Sequence, residues 1–140
     1  MKLDLACGTE KPDGYYGIDK STESNADEIY DLTKGIPISS NTCDEVRCHS
    51  FMEHLTNDQF IELMWEIHRV LKTSGKCDFL MPHGLTETAI KDPTHRMHFS
   101  EQTFTYFEKG CLRQKQYGLP PFKIINIERK GDIIFVKLEK

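Results

Sequence analysis

No apolar run in these 140 residues approaches the roughly 20 needed for a bilayer-spanning helix, so none is expected to cross a membrane that way. A secretory leader pattern is missing too, because Asp4 and the small polar residues after it interrupt the start. There is no Cys-x-x-Cys spacing, and the five cysteines (Cys7, Cys43, Cys48, Cys77 and Cys111) are odd in number. They read as reduced thiols, and a cytoplasmic location is expected. Positive charge is not in excess. The net charge of −4 disfavours nucleic acid as a partner, since phosphate binding leans on positive surface. Histidines without His-x-x-x-His order make no metal motif: His83, His95 and His98, even with Asp92 nearby, are scattered, and no metal is expected. Repeats and low-complexity segments are absent. Gly-x-Gly-x-x-Gly is absent as well, which argues against a seat for a dinucleotide pyrophosphate.

What is present begins at the first residues. Lys2-Leu3-Asp4-Leu5 is a short apolar strand running into the small-residue turn Ala6-Cys7-Gly8-Thr9. Tyr15-Tyr16-Gly17-Ile18-Asp19 is a second strand that closes on an acid. A turn of small residues lets backbone N–H groups approach a ligand. A carboxylate at the tip of the neighbouring strand can accept both hydroxyls of a ribose. The six residues Thr9–Gly14 are too few for the usual crossover helix, so a bare loop is expected between these strands.

Further on, Glu28–Leu32 reads as a third strand after another short crossover, and Asp44–Ser50 as a fourth. Thr56-Asn57-Asp58-Gln59 is a capping box. It opens a helix over 57–72 with Phe60, Leu63, Met64, Ile67 and Leu71 on one face, and Gly75 suits its C-terminal cap. Lys76–Pro82 follows as a strand, at the right length for a parallel neighbour. A histidine-bearing loop leads to a capped helix at Ser100, with Phe104 and Phe107 toward the core. Two β-rich runs around Lys130-Gly131-Asp132 form an antiparallel hairpin. The fold class is therefore α/β: one domain over 1–140, with a Rossmann-like, mostly parallel sheet closed by a C-terminal hairpin and few helices after the first two strands.

The segment Asp4-Leu5-Ala6-Cys7-Gly8 followed by Asp19 resembles motif I of the class I S-adenosylmethionine-dependent methyltransferases, in particular the small ubiquinone-methylase-like group. The resemblance spans roughly residues 2–110. Ala6 stands where that family often has Gly, and the helix between the first two strands is missing. The resemblance implies S-adenosylmethionine as cofactor. Asp19, with Lys20 beside it, would serve the ribose; Ala6, Cys7 and Gly8 the aminocarboxypropyl end. Asp4 would orient the turn or reach the ligand's amino group through water. Asp31 would accept from the adenine amino group, and Leu32 would offer its N–H to the ring. His49 and Ser50 end the fourth strand, on the edge facing the sulfonium. Phe51-Met52-Glu53-His54-Leu55 matches an apolar-x-Glu-His-apolar segment of the family, where Glu53 and His54 act at the site or brace the loop. His95 and His98 lie in a loop that adjoins the acceptor pocket in part of the family, either as a general base or as surface residues.

The implied reaction is in-line displacement of a methyl group onto an unidentified acceptor, taken to be a small molecule. Two other readings stand beside it: a non-catalytic S-adenosylmethionine-binding module, and a partner subunit of a larger methyltransferase. Parallel sheets are usually covered on both faces. The missing helices thus predict one bare face, and a second copy of the chain is expected to cover it as a homodimer.

Overall fold

A computed structural model describes residues 1–140. Seven strands form one sheet: β1 (Lys2–Leu5), β2 (Tyr16–Asp19), β3 (Glu28–Ile29), β4 (Cys43–His49), β5 (Leu71–Pro82), β6 (Lys123–Lys130) and β7 (Ile133–Glu139). Their order is β3-β2-β1-β4-β5-β7-β6. The first five pair in parallel, and β7 runs antiparallel to both β5 and β6. The fold is thus the expected mostly parallel sheet with an antiparallel close. Residues 6–15 carry the chain from β1 to β2 with no helix, as the loop length demanded. Two tethers replace the missing helix. Asn25 donates its backbone N–H to the Gly8 carbonyl at 2.8 Å and its side-chain amide to the Thr9 carbonyl at 2.6 Å. Asp27 accepts from the Gly17 N–H at 2.7 Å and pairs with Lys11, and that Gly17 bond holds its carboxyl below the usual range.

The helical side chains that reach the core, Phe60 and Phe104 among them, pack over Phe79 on one face of the sheet. The main helix, α1 (Asn57–Val70), has the predicted capping box, with Gln59 N–H on Thr56 Oγ1 at 3.3 Å and Thr56 N–H on Gln59 Oε1 at 2.9 Å. The short helices α2 (Glu87–Ile90), α3 (Glu101–Thr105) and α4 (Leu112–Gln116) follow β5. Register shows why the sequence separates two faces. Aligned residues on neighbouring strands share a face, and alternate residues along a strand change face. Leu5, Cys48, Phe79 and Val136 line up across β1, β4, β5 and β7, and all are fully buried. Phe60, Phe99 and Phe104 close this core, with Phe99 stacked on Phe104 at 5.9 Å and Phe60 edge-on to Phe99 at 5.3 Å.

The opposite face is bare of helices, as expected, but it is not apolar. One row across the strands reads Lys2, Glu45, Lys76, Glu139, Lys123, and the next reads Asp4, Arg47, Asp78, Lys137. Charge alternates along each row and between the rows, a checkerboard in which opposite signs meet at each boundary from β1 through β4 and β5 to β7. Lys2 and Glu45 stand 3.0 Å apart, Arg47 and Asp4 2.7 Å, and Lys137 and Asp78 3.6 Å. Cross-strand pairs of opposite charge stabilise a solvated face. The second copy is expected because a bare face needs cover; Asp4 is already buried beneath its neighbours, and the other charges of the checkerboard are at home in water.

Several boundaries differ from the sequence reading, and β5 begins at Leu71 rather than Lys76. β3 stops at Ile29, because Asp31 caps a 3-10 turn over Leu32–Lys34. α1 ends at Val70, because Leu71 is buried and already pairs with Cys43 in the sheet. Gly75 is not the helix cap; Ser74 takes the left-handed conformation, φ 63°. Gly75 is needed for space: a Cβ there would stand 2.9 Å from the Lys72 carbonyl oxygen and 3.1 Å from that of Cys43. Both obstacles are backbone, so Gly75→Ala is expected to destabilise the fold by about 2 kcal/mol. Urea unfolding measures this, and an unchanged midpoint would show that the backbone around Gly75 yields freely.

Candidate functional site

The carboxyl ends of β1, β2 and β4 meet at a cleft of ≈ 210 Å³ lined by Ala6, Asp19, Lys20, Tyr30, Asp31, Leu32, Thr33, Ser50 and Phe51. In open α/β sheets this edge is where ligands bind. Three backbone features shape it. Ala6 (φ 54°) and Gly8 (φ 53°) after β1, and Ser50 (φ 53°) after β4, all take the left-handed conformation. For Ala6 this conformation is strained, and strain of this kind gathers at functional sites. Ala6→Gly is therefore expected to stabilise the protein by about 0.5–1 kcal/mol, the relief of strain exceeding the chain entropy that glycine adds. A thermal unfolding curve shifted downward would contradict this.

Asp19 ends β2 with each carboxylate oxygen holding one backbone donor, Oδ2 the Gly8 N–H at 2.9 Å and Oδ1 the Ser21 N–H at 2.8 Å. Each oxygen keeps a second lone pair. The residue thus fixes the β1 turn while still able to accept from a ligand. Asp31 Oδ1 accepts from the Thr33 N–H at 3.1 Å and the Thr33 hydroxyl at 2.7 Å, which hold its carboxyl below the usual range. Its Oδ2 has no protein partner. Leu32 is the first residue of the 3-10 turn, so its N–H has no partner within the turn.

Of the residues singled out from the sequence, Ala6, Asp19, Lys20, Asp31, Leu32 and Ser50 line this one cleft. Asp4, Cys7, Gly8 and His49 do not. Asp4 and His49 point to the bare face, where Asp4 meets Arg47 and His49 Nε2 lies 3.1 Å from Asp78. His49 follows Arg47 by two residues, and the strand period carries both side chains to that face. Cys7 is buried, its thiol pushed up by burial, and a Cβ on Gly17 would come within 2.7 Å of its sulfur. Gly8 acts through the N–H that it gives to Asp19. Tyr30 and Thr33 line the cleft without a role expected of them, as does Phe51, named only as the first residue of the Phe51–Leu55 segment. Each is the immediate neighbour of a predicted site residue, which is the one signal that could have found them.

A second cleft of ≈ 540 Å³ shares Lys20 and Phe51 with the first and adds His54, Pro93, Thr94 and Arg96. The loop that bounds it is fastened to the 3-10 turn over Met52–His54: the Glu53 carbonyl accepts from the Arg96 N–H at 2.7 Å and the Met97 N–H at 3.1 Å. Neither of the two histidines expected beside an acceptor lines a cleft: His95 is packed edge-on behind His54 at 4.8 Å, and His98 is exposed. His83, His95 and His98 do not converge. His83 faces Glu101 at 3.4 Å. Burial raises the Glu53 carboxyl and lowers the His54 imidazole. A larger apolar cavity of ≈ 680 Å³ between α1 and α3 shares no residue with either cleft.

No helix is long and apolar enough to cross a membrane. No family model matches the chain, and no curated protein matches it. Solved structures do. A SAM-dependent methyltransferase from Archaeoglobus fulgidus superposes with a TM-score of 0.71 at 14% identity, over 99% of this chain and 85% of that one. An S-adenosylmethionine-dependent methyltransferase from Mesorhizobium loti gives 0.72 at 12%, over 99% and 90%. The protein DhpI, solved in complex with SAH, gives 0.70 at 14%, over 98% and 74%. With the strand order and the antiparallel close already described, these superpositions give the chain the fold of the class I S-adenosylmethionine-dependent methyltransferases.

Proposed function

We propose that the protein binds S-adenosylmethionine in the ≈ 210 Å³ cleft and transfers its methyl group to a small-molecule acceptor in the cytoplasm. One observation carries the reading: Asp19, Asp31, Leu32 and the left-handed turn at Ala6, chosen from the sequence for this cofactor, meet around a single cleft at the carboxyl edge of the sheet. The segment Phe51–Leu55 supports a place near the small ubiquinone-methylase-like group, since Phe51 belongs to both clefts.

The residues present fit the cofactor. Asp19 offers one unused lone pair on each oxygen to two adjacent hydroxyls. Asp31 Oδ2 accepts from an exocyclic amine, and the Leu32 N–H donates to a ring nitrogen beside it. Tyr30 and Phe51 supply apolar wall. When bound, S-adenosylmethionine supplies a methyl already activated by the sulfonium charge. The chain's own work is then to align the acceptor and exclude water, with Phe51 and Lys20 set between the two clefts. A base is required only for an acceptor that must lose a proton, and His54 and His95 are the imidazoles at hand.

Calorimetric titration of the full chain tests this. Saturable one-to-one binding of S-adenosylhomocysteine and of S-adenosylmethionine is expected. Absence of binding at millimolar ligand would overturn the reading.

A further inference from the structure

Glu53, His54 and His95 are the only three His, Cys or carboxylate side chains in the structure whose ligand atoms lie together, all within 4.8 Å of one another. We infer that they form a binding site for one divalent first-row transition ion at the edge of the ≈ 540 Å³ cleft.

The hydrogen bonds around the two imidazoles fix which nitrogen is free. His95 Nδ1 lies 2.7 Å from the Ala89 carbonyl, which can only accept, so Nδ1 carries a proton and Nε2 is the nitrogen whose lone pair the neutral ring offers to an ion. Thr94 gives its hydroxyl proton to Asp92 Oδ1 at 2.7 Å, so its oxygen accepts from His54 Nδ1 at 3.0 Å. His54 Nε2 therefore also presents a lone pair. Metal-ligating histidines are oriented in this way, the second ring nitrogen donating to a fixed acceptor. The third group points to a cation independently. Glu53 is 2% exposed, and its Oε2 is buried with no hydrogen-bond partner. A buried carboxylate oxygen without a donor is costly. Asp92 Oδ2 stands outside this set of three, 3.5 Å from His95 Nε2, and adds negative charge beside it.

Ligand atoms around one ion at about 2.1 Å stand roughly 3 to 3.4 Å apart, so modest side-chain rotation closes the set. Two imidazoles and one carboxylate suit zinc and its first-row neighbours better than magnesium or calcium, which prefer oxygen throughout. Three protein ligands leave positions open. His54 belongs to both the ligand set and the cleft lining, so the ion lies where an acceptor's oxygen or nitrogen could reach it. This last clause rests on the methyl-transfer reading; the metal site does not.

The test is titration of the full-length, metal-stripped protein with Zn2+ in the absence of cofactor, repeated with Co2+ to record its visible spectrum. One Zn2+ per chain is expected at micromolar affinity or tighter, and the Co2+ adduct is expected to show no thiolate charge-transfer band. Glu53→Gln and His95→Ala should each weaken binding about 100-fold or more with circular dichroism unchanged. Thr94→Val, at an exposed position, should weaken it about 10-fold through its hold on His54. The Thr94 result decides the matter if the buried variants fail to fold. Absence of saturable binding, a thiolate band, or affinity unmoved by the substitutions that fold would overturn the site. Cofactor titration is a separate experiment, so failure here leaves that reading standing and the converse holds too.

Discussion

Replacing Asp19 by Ala is expected to weaken S-adenosylhomocysteine binding by about 100-fold or more. The ground is twofold. A charged acceptor contributes roughly 1.5–3 kcal/mol per hydrogen bond, and two ribose hydroxyls are within its scope. The same carboxylate also holds the Gly8 N–H at 2.9 Å and the Ser21 N–H at 2.8 Å, so its loss frees the turns on both sides of the cleft. Asp19→Asn separates these effects. The amide keeps one acceptor oxygen, so it retains part of the turn geometry and loses the paired acceptance of two hydroxyls. Its affinity should fall between those of wild type and Asp19→Ala. Equal affinity in all three proteins would remove Asp19 from the site.

The second large effect is on stability. Arg47→Ala is expected to destabilise the fold by about 3–5 kcal/mol, the usual cost of leaving a buried charge without its partner. Asp4 is fully buried, its Oδ1 has no hydrogen-bond partner, and Arg47 is the only group that bonds its Oδ2. Burial outweighs the guanidinium and holds the Asp4 carboxyl above its ordinary range. The sign of the pH dependence follows. A carboxyl whose folded-state pKa is raised binds its proton more tightly in the native state. The stability that this proton confers is complete below the unfolded pKa and is lost as pH rises through the folded one. Removing Arg47 raises the folded pKa further. The deficit of Arg47→Ala should therefore be largest at neutral pH and shrink as pH falls toward about 4. Denaturant unfolding at the two pH values measures it. A deficit equal at both would show that lost packing, not the stranded charge, is responsible.

How much of this could be read from the chain depends on the range of the interaction. Asp19 ends a strand and Asp31 caps the 3-10 turn after one; both are local events, and both line the cleft. The Thr56 capping box is local and is present. The loop crossover between β1 and β2 followed from a residue count alone. His49 ends its strand near the cleft but does not face it, because Glu45, Arg47 and His49 share the bare face by period. The alternation that makes the checkerboard is in the sequence, in Lys2-Leu3-Asp4, Glu45-Val46-Arg47, Lys76-Cys77-Asp78 and Lys137-Leu138-Glu139. It marks a sheet covered on one side only. What local reading does not supply is the partner strand, and therefore the sign opposite each charge. The Glu53, His54 and His95 cluster is beyond local reading altogether. It joins a 3-10 turn after β4 to a loop after β5, brought together by the two N–H donors that Arg96 and Met97 give to the Glu53 carbonyl.

The bare face also bears on assembly. A homodimer through it would have to desolvate paired charges, which gains little. One exposed apolar side chain, Ile125, stands among Glu45, Lys76, Asp78 and Lys137 on this face, while Leu85 and Ile90 are exposed just before and within α2.

The claim on which the account turns is that the cleft at the ends of β1, β2 and β4 is the cofactor site. Backbone amide resonances followed during titration with S-adenosylhomocysteine test it residue by residue. The account predicts that Gly8, Lys20, Leu32, Thr33 and Ser50 shift together and saturate at one equivalent, while Arg47, Asp78 and Lys137 on the bare face stay still. Shifts confined to the bare face or to the apolar cavity between α1 and α3, or no shifts at millimolar ligand, would contradict it.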